Sequence, residues 1–193
     1  MSVKLVDRSG GFPIPVIFTP NHASSIDPYL FGLIPVENAF VTSWPFKIPV
    51  YSLMMRMAGY IDSRKGWQEL KSRGSRLLES GCSLIIWPEG HRSRDGRLGR
   101  FKNGAFMLAC RTATAVVPVY IKGSGQVLPP GKRYIRPGEV EVVLLPPIHP
   151  SGAGLPRKNG EDADCVSSLK QAVYSAITGE MGSCSSGAGG DHV

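Results

Sequence analysis

The chain has 193 residues, with 22 Lys and Arg against 15 Asp and Glu, and therefore a formal net charge of +7. Its 42% hydrophobic and 8% aromatic content is typical of a globular protein and excludes a fibrous or fully disordered one. The longest apolar stretches are strand-sized, well below the roughly 20 residues of a membrane span. Residues 1–10 carry charges with no apolar stretch behind them, which argues against a secretory signal.

Apolar segments alternate with helical patterns along most of the chain, and this alternation favours an α/β domain. The predicted strands are residues 14–18, 39–42, 83–87, 115–121 and 139–145. The predicted helices are residues 28–34, 50–58, 67–78 and 104–111, with a final amphipathic helix through Val166, Leu169, Val173 and Ile177. We expect a single domain over residues 1–181, with a central mixed sheet flanked by helices. Residues 182–193, rich in Gly and Ser, are expected to be a disordered tail.

The four cysteines indicate neither a disulfide framework nor a zinc site, because none of their spacings forms a C-x-x-C element. Cys82 and Cys110 also lie inside apolar stretches. Together with Cys165 and Cys184, they are predicted to be free thiols in a reducing compartment.

The positive charge is concentrated in one segment, where a single acid, Asp95, accompanies five basic residues. These are Arg92, Arg94, Arg97, Arg100 and Lys102. Such a cluster suits phosphate groups on a small substrate, a nucleic acid or an anionic lipid surface, and composition does not choose among the three.

The first candidate for chemistry is the segment 21–28, directly after the first predicted strand. His22 and Asp27 would lie about 140° apart on a helix, so only a turn would bring them together. Pro28 favours such a turn. A carboxylate on one ring nitrogen would leave the other nitrogen free to accept a proton. Alternatively, Asp27 is a helix N-cap and His22 is a structural histidine bonded to the backbone.

The second candidate is the segment 87–93, at the end of a buried strand. Gly90 permits close backbone approach, Arg92 can bind phosphate oxygens in a fork, and Ser93 adds a hydroxyl. Glu89 could bind a substrate hydroxyl or hold Arg92 by an ion pair. The alternative is an ordinary turn with a surface ion pair.

Together, Asn21-His22-x-Ser24-x-x-Asp27 and Pro88-Glu89-Gly90-x-Arg92-Ser93 resemble the glycerolipid acyltransferase family, which includes lysophosphatidic acid acyltransferases. Three further blocks match in the expected order: residues 59–64, ending in Arg64, residues 101–105, which include Lys102, and residues 117–119. The resemblance covers roughly residues 16–148. Trp87 stands where the family often has Phe, and His91 where a small residue is common.

The resemblance implies a glycerol-3-phosphate acyltransferase-like fold and an O-acyltransferase. A fatty acyl group would pass from acyl-CoA or acyl-acyl carrier protein to a lysophospholipid hydroxyl, chiefly lysophosphatidic acid giving phosphatidic acid, with no cofactor beyond this co-substrate. Glycerol 3-phosphate or another lysolipid is the alternative acceptor. His22 would be the general base and Asp27 would orient it. The implied substrate-binding residues are Asn21, Ser24, Ser25, Arg64, Glu89, Gly90, Arg92, Ser93 and Lys102.

Residues 48–60 are apolar around a single Arg56, and core packing is favoured over an acyl tunnel or a membrane-dipping segment. We expect a cytoplasmic protein that attaches peripherally to an anionic membrane surface. Nucleic acid is an unlikely partner because only Phe101 is interleaved with the basic residues. Two other classes stay open: a metal-dependent hydrolase using His22, Asp27, Glu89 and His91, and a non-catalytic anion-binding module.

Overall fold

One seven-stranded mixed sheet organises the protein, whose computed structural model describes residues 1–93, 95–132, 134–150 and 161–186. The strands are β1 (Ser2–Asp7), β2 (Ile17–Pro20), β3 (Asn38–Thr42), β4 (Ile61–Asp62), β5 (Ser83–Ile86), β6 (Val116–Lys122) and β7 (Glu139–Leu144). The helices are α1 (Asp27–Leu30), α2 (Pro49–Met57), α3 (Gly66–Glu79), α4 (Gly104–Thr112), α5 (Ser124–Val127) and α6 (Glu161–Ser186). Three 3-10 turns lie at Phe31–Leu33, Pro45–Lys47 and Ser63–Lys65.

The strand order across the sheet is β1-β7-β6-β2-β5-β3-β4. The five strands from β6 to β4 run parallel, whereas β7 is antiparallel to β6 and parallel to β1. The predicted single α/β domain with a mixed sheet flanked by helices is therefore confirmed. Because parallel strands end at the same edge, the loops after β2, β3, β4 and β5 come together there.

The central strands β2 and β5 are buried on both sides of the sheet. In β2, Ile17 packs into the cluster under α3, α4 and α6, while Phe18 packs into the opposite cluster with Phe31. Leu84 and Ile85 of β5 divide in the same way. Covering on both faces explains why these strands appear in the sequence as continuous apolar runs.

The first strand, β1, was not predicted from the sequence. It pairs with β7 at the sheet edge, from Ser2 opposite Glu139 to Asp7 opposite Leu144, and its side chains are only partly buried. The strand predicted over residues 14–18 begins at Ile17 in the structure. There the Ile17 N–H donates the first hydrogen bond of the strand, to the Ala115 carbonyl. Prolines ahead of Ile17 cannot donate such bonds.

Two helices depart from expectation. The prediction that residues 48–60 pack in the core is wrong, since no residue of α2 is buried. Helix α6 continues to Ser186, five residues into the segment predicted to be a disordered tail, and residues 187–193 lie outside the described part. None of the described helices combines the length and apolarity needed to cross a bilayer.

The prediction of four free thiols is wrong for one pair. Cys110 of α4 and Cys165 of α6 form a disulfide, which ties two helices of the same layer together across 55 residues of sequence. Cys82 is a buried free thiol, as predicted, and the side chain of Cys184 lies outside the described part. Spacing rules failed here because the two cysteines meet only through tertiary packing.

We expect Cys165→Ala to lower the free energy of unfolding of the oxidised protein by about 2–4 kcal/mol, since the disulfide restricts a long loop of the unfolded chain. Urea unfolding measures the effect. Under reducing conditions the wild type and Cys165→Ala should unfold at the same urea concentration. A Cys165→Ala variant as stable as the oxidised wild type would show that this pair does not form a stabilising bond.

Candidate active site

A cleft of about 1610 Å³ opens at the carboxyl edge of the parallel strands. Its lining includes His22 from the loop after β2, Thr42 from the end of β3, and Trp87 to Ser93 from the loop after β5. Strands β2 and β5 are direct neighbours, so their two loops lie side by side and both line the cleft. The cleft exceeds the size of a typical small-molecule pocket.

His22 and Asp27 form a pair at the base of this cleft. The Nδ1 atom of His22 lies 2.7 Å from Oδ2 of Asp27, whose side chain is fully buried. An ionised carboxylate only accepts hydrogen bonds, so Nδ1 carries the proton and Nε2 has a free lone pair. The His22 side chain is 17% exposed, which leaves the ring reachable from the cleft.

The loop between the pair folds around the Asp27 carboxylate. The backbone N–H groups of Ala23 and Ser24 both donate to Oδ2 at 2.9 Å, the same oxygen that binds His22. Asp27 is the first residue of α1, and the N-cap is Ile26, with no capping hydrogen bond from a side chain. The carboxylate therefore binds the turn before the helix rather than capping it.

Two predicted substrate-binding residues of this loop bond to backbone atoms, Asn21 to strand β6 and Ser24 to the end of α5. Asn21 exchanges two hydrogen bonds with the backbone of Ile121, at 3.0 and 2.6 Å. The buried Ser24 hydroxyl donates to the Leu128 carbonyl at 2.7 Å. Ser25 is exposed and, like Asn21 and Ser24, is absent from the cleft lining.

The side chain of Glu89 joins the loop after β5 to the loop after β2. Its carboxylate is 1% exposed and accepts the N–H of His22 at 3.0 Å and the N–H of Gly99 at 2.8 Å. In return, the Ser93 N–H donates to the His22 carbonyl at 2.7 Å. Burial raises the pKa of the Glu89 carboxyl above its ordinary value, and the hydrogen bonds from Gly99 and His22 oppose that shift. Glu89 thus holds the backbone of His22 in position.

Gly90 is required by its backbone and by its neighbour. Its φ of +72° lies in the left-handed region, and a Cβ there would collide with the ammonium end of Lys102. The Lys102 N–H donates to the Pro88 carbonyl at 2.8 Å, which holds the segment before α4 against the turn. The lysine ammonium thus crosses directly over the Gly90 backbone at the cleft wall.

Three cations line the cleft: Arg92, Arg97 and Lys102. Within the described residues, their side chains make no ion pair or hydrogen bond, so their charges are available to an anion. Asp95 accepts the Arg97 N–H and the Ser93 hydroxyl, each at 3.1 Å. The hydrogen bonds from Arg97 and Ser93 lower the pKa of Asp95 below its ordinary value. The cleft wall therefore presents a basic site suited to phosphate.

Arg64, also predicted to bind substrate, lies outside the cleft lining. Its guanidinium forms an ion pair with Asp62 at 2.7 Å and donates to the Phe46 carbonyl at 3.2 Å. The hydrogen bond from Arg64 is the main cause of a lowered pKa at Asp62. This arginine fixes the loop after β4 to the turn before α2.

Two contributors were not assigned a role from the sequence. The Trp87 ring lies 5.1 Å from the His22 ring and stacks on Phe40 at 5.7 Å, forming a wall beside the imidazole. Gly99 contributes only its N–H, and a backbone donor has no signature in residue type. Trp87 did have one, as the aromatic residue immediately before the Pro-Glu-Gly turn.

The metal-dependent alternative finds no support in the described part of the chain. There, no three His, Cys, Asp or Glu side chains are grouped so that they could hold a metal ion. The His22 Nδ1 and the Asp27 carboxylate, which would have been ligands, are bonded to each other.

Comparison with known proteins identifies the family. A family profile described as Acyltransferase matches residues 11–122, more than half of the chain. A chloroplastic 1-acyl-sn-glycerol-3-phosphate acyltransferase of Arabidopsis thaliana is 38% identical over 146 residues, which cover 72% of this chain and 41% of that protein. A 1-acyl-sn-glycerol-3-phosphate acyltransferase of Chlamydomonas reinhardtii is 31% identical over 173 residues, 86% of this chain and 50% of that protein.

Among solved structures, the 1-acyl-sn-glycerophosphate acyltransferase PlsC from Thermotoga maritima superposes with a TM-score of 0.65 at 25% identity. The superposition covers 89% of this chain and 71% of that one. The chain spans half or less of the length of the plant and algal relatives above. With the family profile, the fold and the paired motifs in agreement, the chain belongs to the acyltransferase family.

Proposed function

We propose that this protein transfers a fatty acyl group from a thioester, acyl-CoA or acyl-acyl carrier protein, to the free hydroxyl of lysophosphatidic acid, forming phosphatidic acid. The observation that carries the proposal is the 2.7 Å His22–Asp27 pair, with Nε2 left free, in a cleft that also holds Arg92, Arg97 and Lys102. The names of the relatives support lysophosphatidic acid as the acceptor.

The reaction needs one base and no enzyme nucleophile. The acceptor hydroxyl gives its proton to Nε2 of His22 while its oxygen bonds to the thioester carbonyl carbon. The tetrahedral intermediate then collapses, the C–S bond breaks, and the leaving sulfur takes the proton back from His22. A positioned base of this kind contributes about 10²–10⁴-fold to the rate.

Asp27 stabilises the imidazolium that forms between these two proton transfers. Its carboxylate is fully buried and lies against Nδ1, so the attraction is little weakened by water. It also fixes the ring tautomer, because Nδ1 cannot act as the base while it donates to Oδ2. The Trp87 ring packs beside the imidazole, with the two ring centroids 5.1 Å apart.

The acceptor phosphate would bind at the basic wall. Arg92 offers a planar fork for two phosphate oxygens, and Lys102 offers a point charge. Arg92 lies in the loop that Glu89 joins to His22, and the Lys102 backbone is bonded to the same loop at Pro88. The phosphate and the reacting hydroxyl are therefore placed by one set of hydrogen bonds. No metal or organic cofactor enters this scheme.

The dyad is tested by release of free thiol from an acyl thioester in the presence of lysophosphatidic acid. We expect His22→Ala to lower kcat by at least about 10²-fold, because the hydroxyl loses its base. His149→Ala, which removes an exposed histidine outside the cleft, is the matched control. Near wild-type thiol release by His22→Ala would exclude His22 as the base.

Arg92→Ala is expected to raise the acceptor KM about tenfold or more while kcat changes little, since a charge-assisted contact to the phosphate is lost. Arg100→Ala removes the same charge from an exposed position outside the cleft and should leave KM within about twofold. Equal effects of the two substitutions would show that only net charge, and not a bound phosphate at Arg92, controls KM.

The role of Glu89 is tested by the pH dependence of stability. Because burial raises the folded-state pKa of Glu89, the folded protein binds this proton at a pH where the unfolded chain has lost it. The free energy of unfolding of the wild type, relative to Glu89→Gln, should therefore rise as pH falls through the raised pKa. This difference in the free energy of unfolding should become constant at pH values below the ordinary pKa range of glutamate. Urea unfolding across pH measures this difference, and the opposite slope would contradict a raised pKa.

A further inference from the structure

Helix α2 exposes its apolar side chains to solvent, whereas an ordinary surface helix buries them against the core. Val50, Leu53, Met54 and Met57 recur at i, i+3, i+4 and i+7, which places them on one stripe. They are 70%, 62%, 55% and 81% exposed, so the apolar stripe faces solvent. The side turned toward the protein holds Ser52 and Met55, which are only half-buried.

The apolar stripe is continuous with the mouth of the active-site cleft. Trp44 lines the cleft and is itself 64% exposed. The 3-10 turn Pro45–Lys47 leads from it directly into α2. By contrast, no residue of α2 lines the cleft. The helix therefore lies at the cleft's outer rim, where an entering lipid would pass it.

The charged residues of the segment that carries the stripe have one sign. Between Glu37 and Asp62 the sequence contains no acidic residue, and its two charged side chains, Lys47 and Arg56, are both exposed. Two further cations, Arg92 and Arg97, line the same cleft as Trp44 and are exposed. An apolar stripe bordered by cations is the pattern of a helix that lies in the interface of an anionic bilayer.

We propose that the outer stripe of α2, with Trp44, inserts into the headgroup region of an anionic lipid surface and so turns the cleft mouth toward the bilayer. This inference rests on the proposed function, because a lipid acceptor has to leave the bilayer to reach His22. The apolar side chains lie at the boundary between the headgroups and the acyl chains. Lys47 and Arg56 lie against lipid phosphates, and Trp44 and Tyr51 take the interfacial position that Trp and Tyr favour.

A second copy of the chain fits this surface less well. In a two-fold dimer the same patch meets itself, so Lys47 and Arg56 of one copy would come close to the same cations of the other. Like charges at the border of an interface oppose pairing, whereas anionic lipid neutralises them. The observed charge pattern therefore selects the lipid surface.

The test uses sedimentation of the full chain with vesicles of phosphatidylcholine containing about 30 mol% phosphatidylglycerol. We expect Leu53→Gln/Met57→Gln to weaken binding about tenfold or more, because two apolar side chains no longer leave water. Leu33→Gln makes the same change at an exposed leucine of another turn and should stay within about twofold. Arg56→Gln should weaken binding about fivefold on these vesicles and leave binding to pure phosphatidylcholine unchanged.

Acyl transfer separates this inference from the proposed function. Leu53→Gln/Met57→Gln should keep the wild-type rate on a short-chain lysophosphatidic acid dispersed in water and lose about tenfold on acceptor held in vesicles. Unchanged vesicle binding by Leu53→Gln/Met57→Gln overturns the inference. So does a wild-type dimer in light scattering that the double variant dissociates. Sedimentation as expected without acyl transfer by the wild type would support the lipid surface and overturn the proposed function.

Discussion

The placement of His22 depends on two carboxylates that the fold has removed from water. Asp27 binds the imidazole, and Glu89 binds the backbone N–H of the same residue, so side chain and main chain are fixed independently. Each carboxylate would be unfavourable in an apolar interior without hydrogen-bond donors, and each obtains them from backbone N–H groups. The Asp27 bonds lie within the loop after β2, whereas the bond from the His22 N–H to Glu89 forms only if the loops after β2 and β5 lie side by side. The adjacency of β2 and β5 is thus what places Glu89 against the backbone of His22.

Much of this arrangement could be predicted from the sequence, for identifiable reasons. Strands β2 and β5 are covered on both faces, and complete burial leaves an unbroken apolar run. His22, Asp27 and Glu89 stood out because polar residues directly after such strands have to be placed by the sheet edge. The predicted catalytic and binding roles stay predictions, whereas the positions of His22, Glu89, Gly90, Arg92, Ser93 and Lys102 in one cleft are a structural result.

The rest could not be predicted because it depends on partners rather than on residue types. The stripe of α2 has the spacing of a core-facing helix, and nothing in that periodicity tells which way the stripe points. Asn21 and Ser24 look like substrate ligands in the motif, yet their bonds go to backbone atoms about 100 residues away. The Cys110–Cys165 bond likewise joins two helices that only tertiary packing brings together.

The position of β2 at the centre of the sheet also has a consequence for biosynthesis. Its neighbours are β5 and β6, so the long-range hydrogen bonds of the loop after β2 reach 67 residues ahead to Glu89 and 100 residues ahead to Ile121. The ribosome synthesises His22 long before Glu89 and Ile121. The loop after β2 therefore lacks its long-range hydrogen bonds until those partners have been made, and closing these long loops is a slow, late event in folding. The growing chain can bond the loop that holds the His22–Asp27 pair to the rest of the sheet only after β5 and β6 have been made.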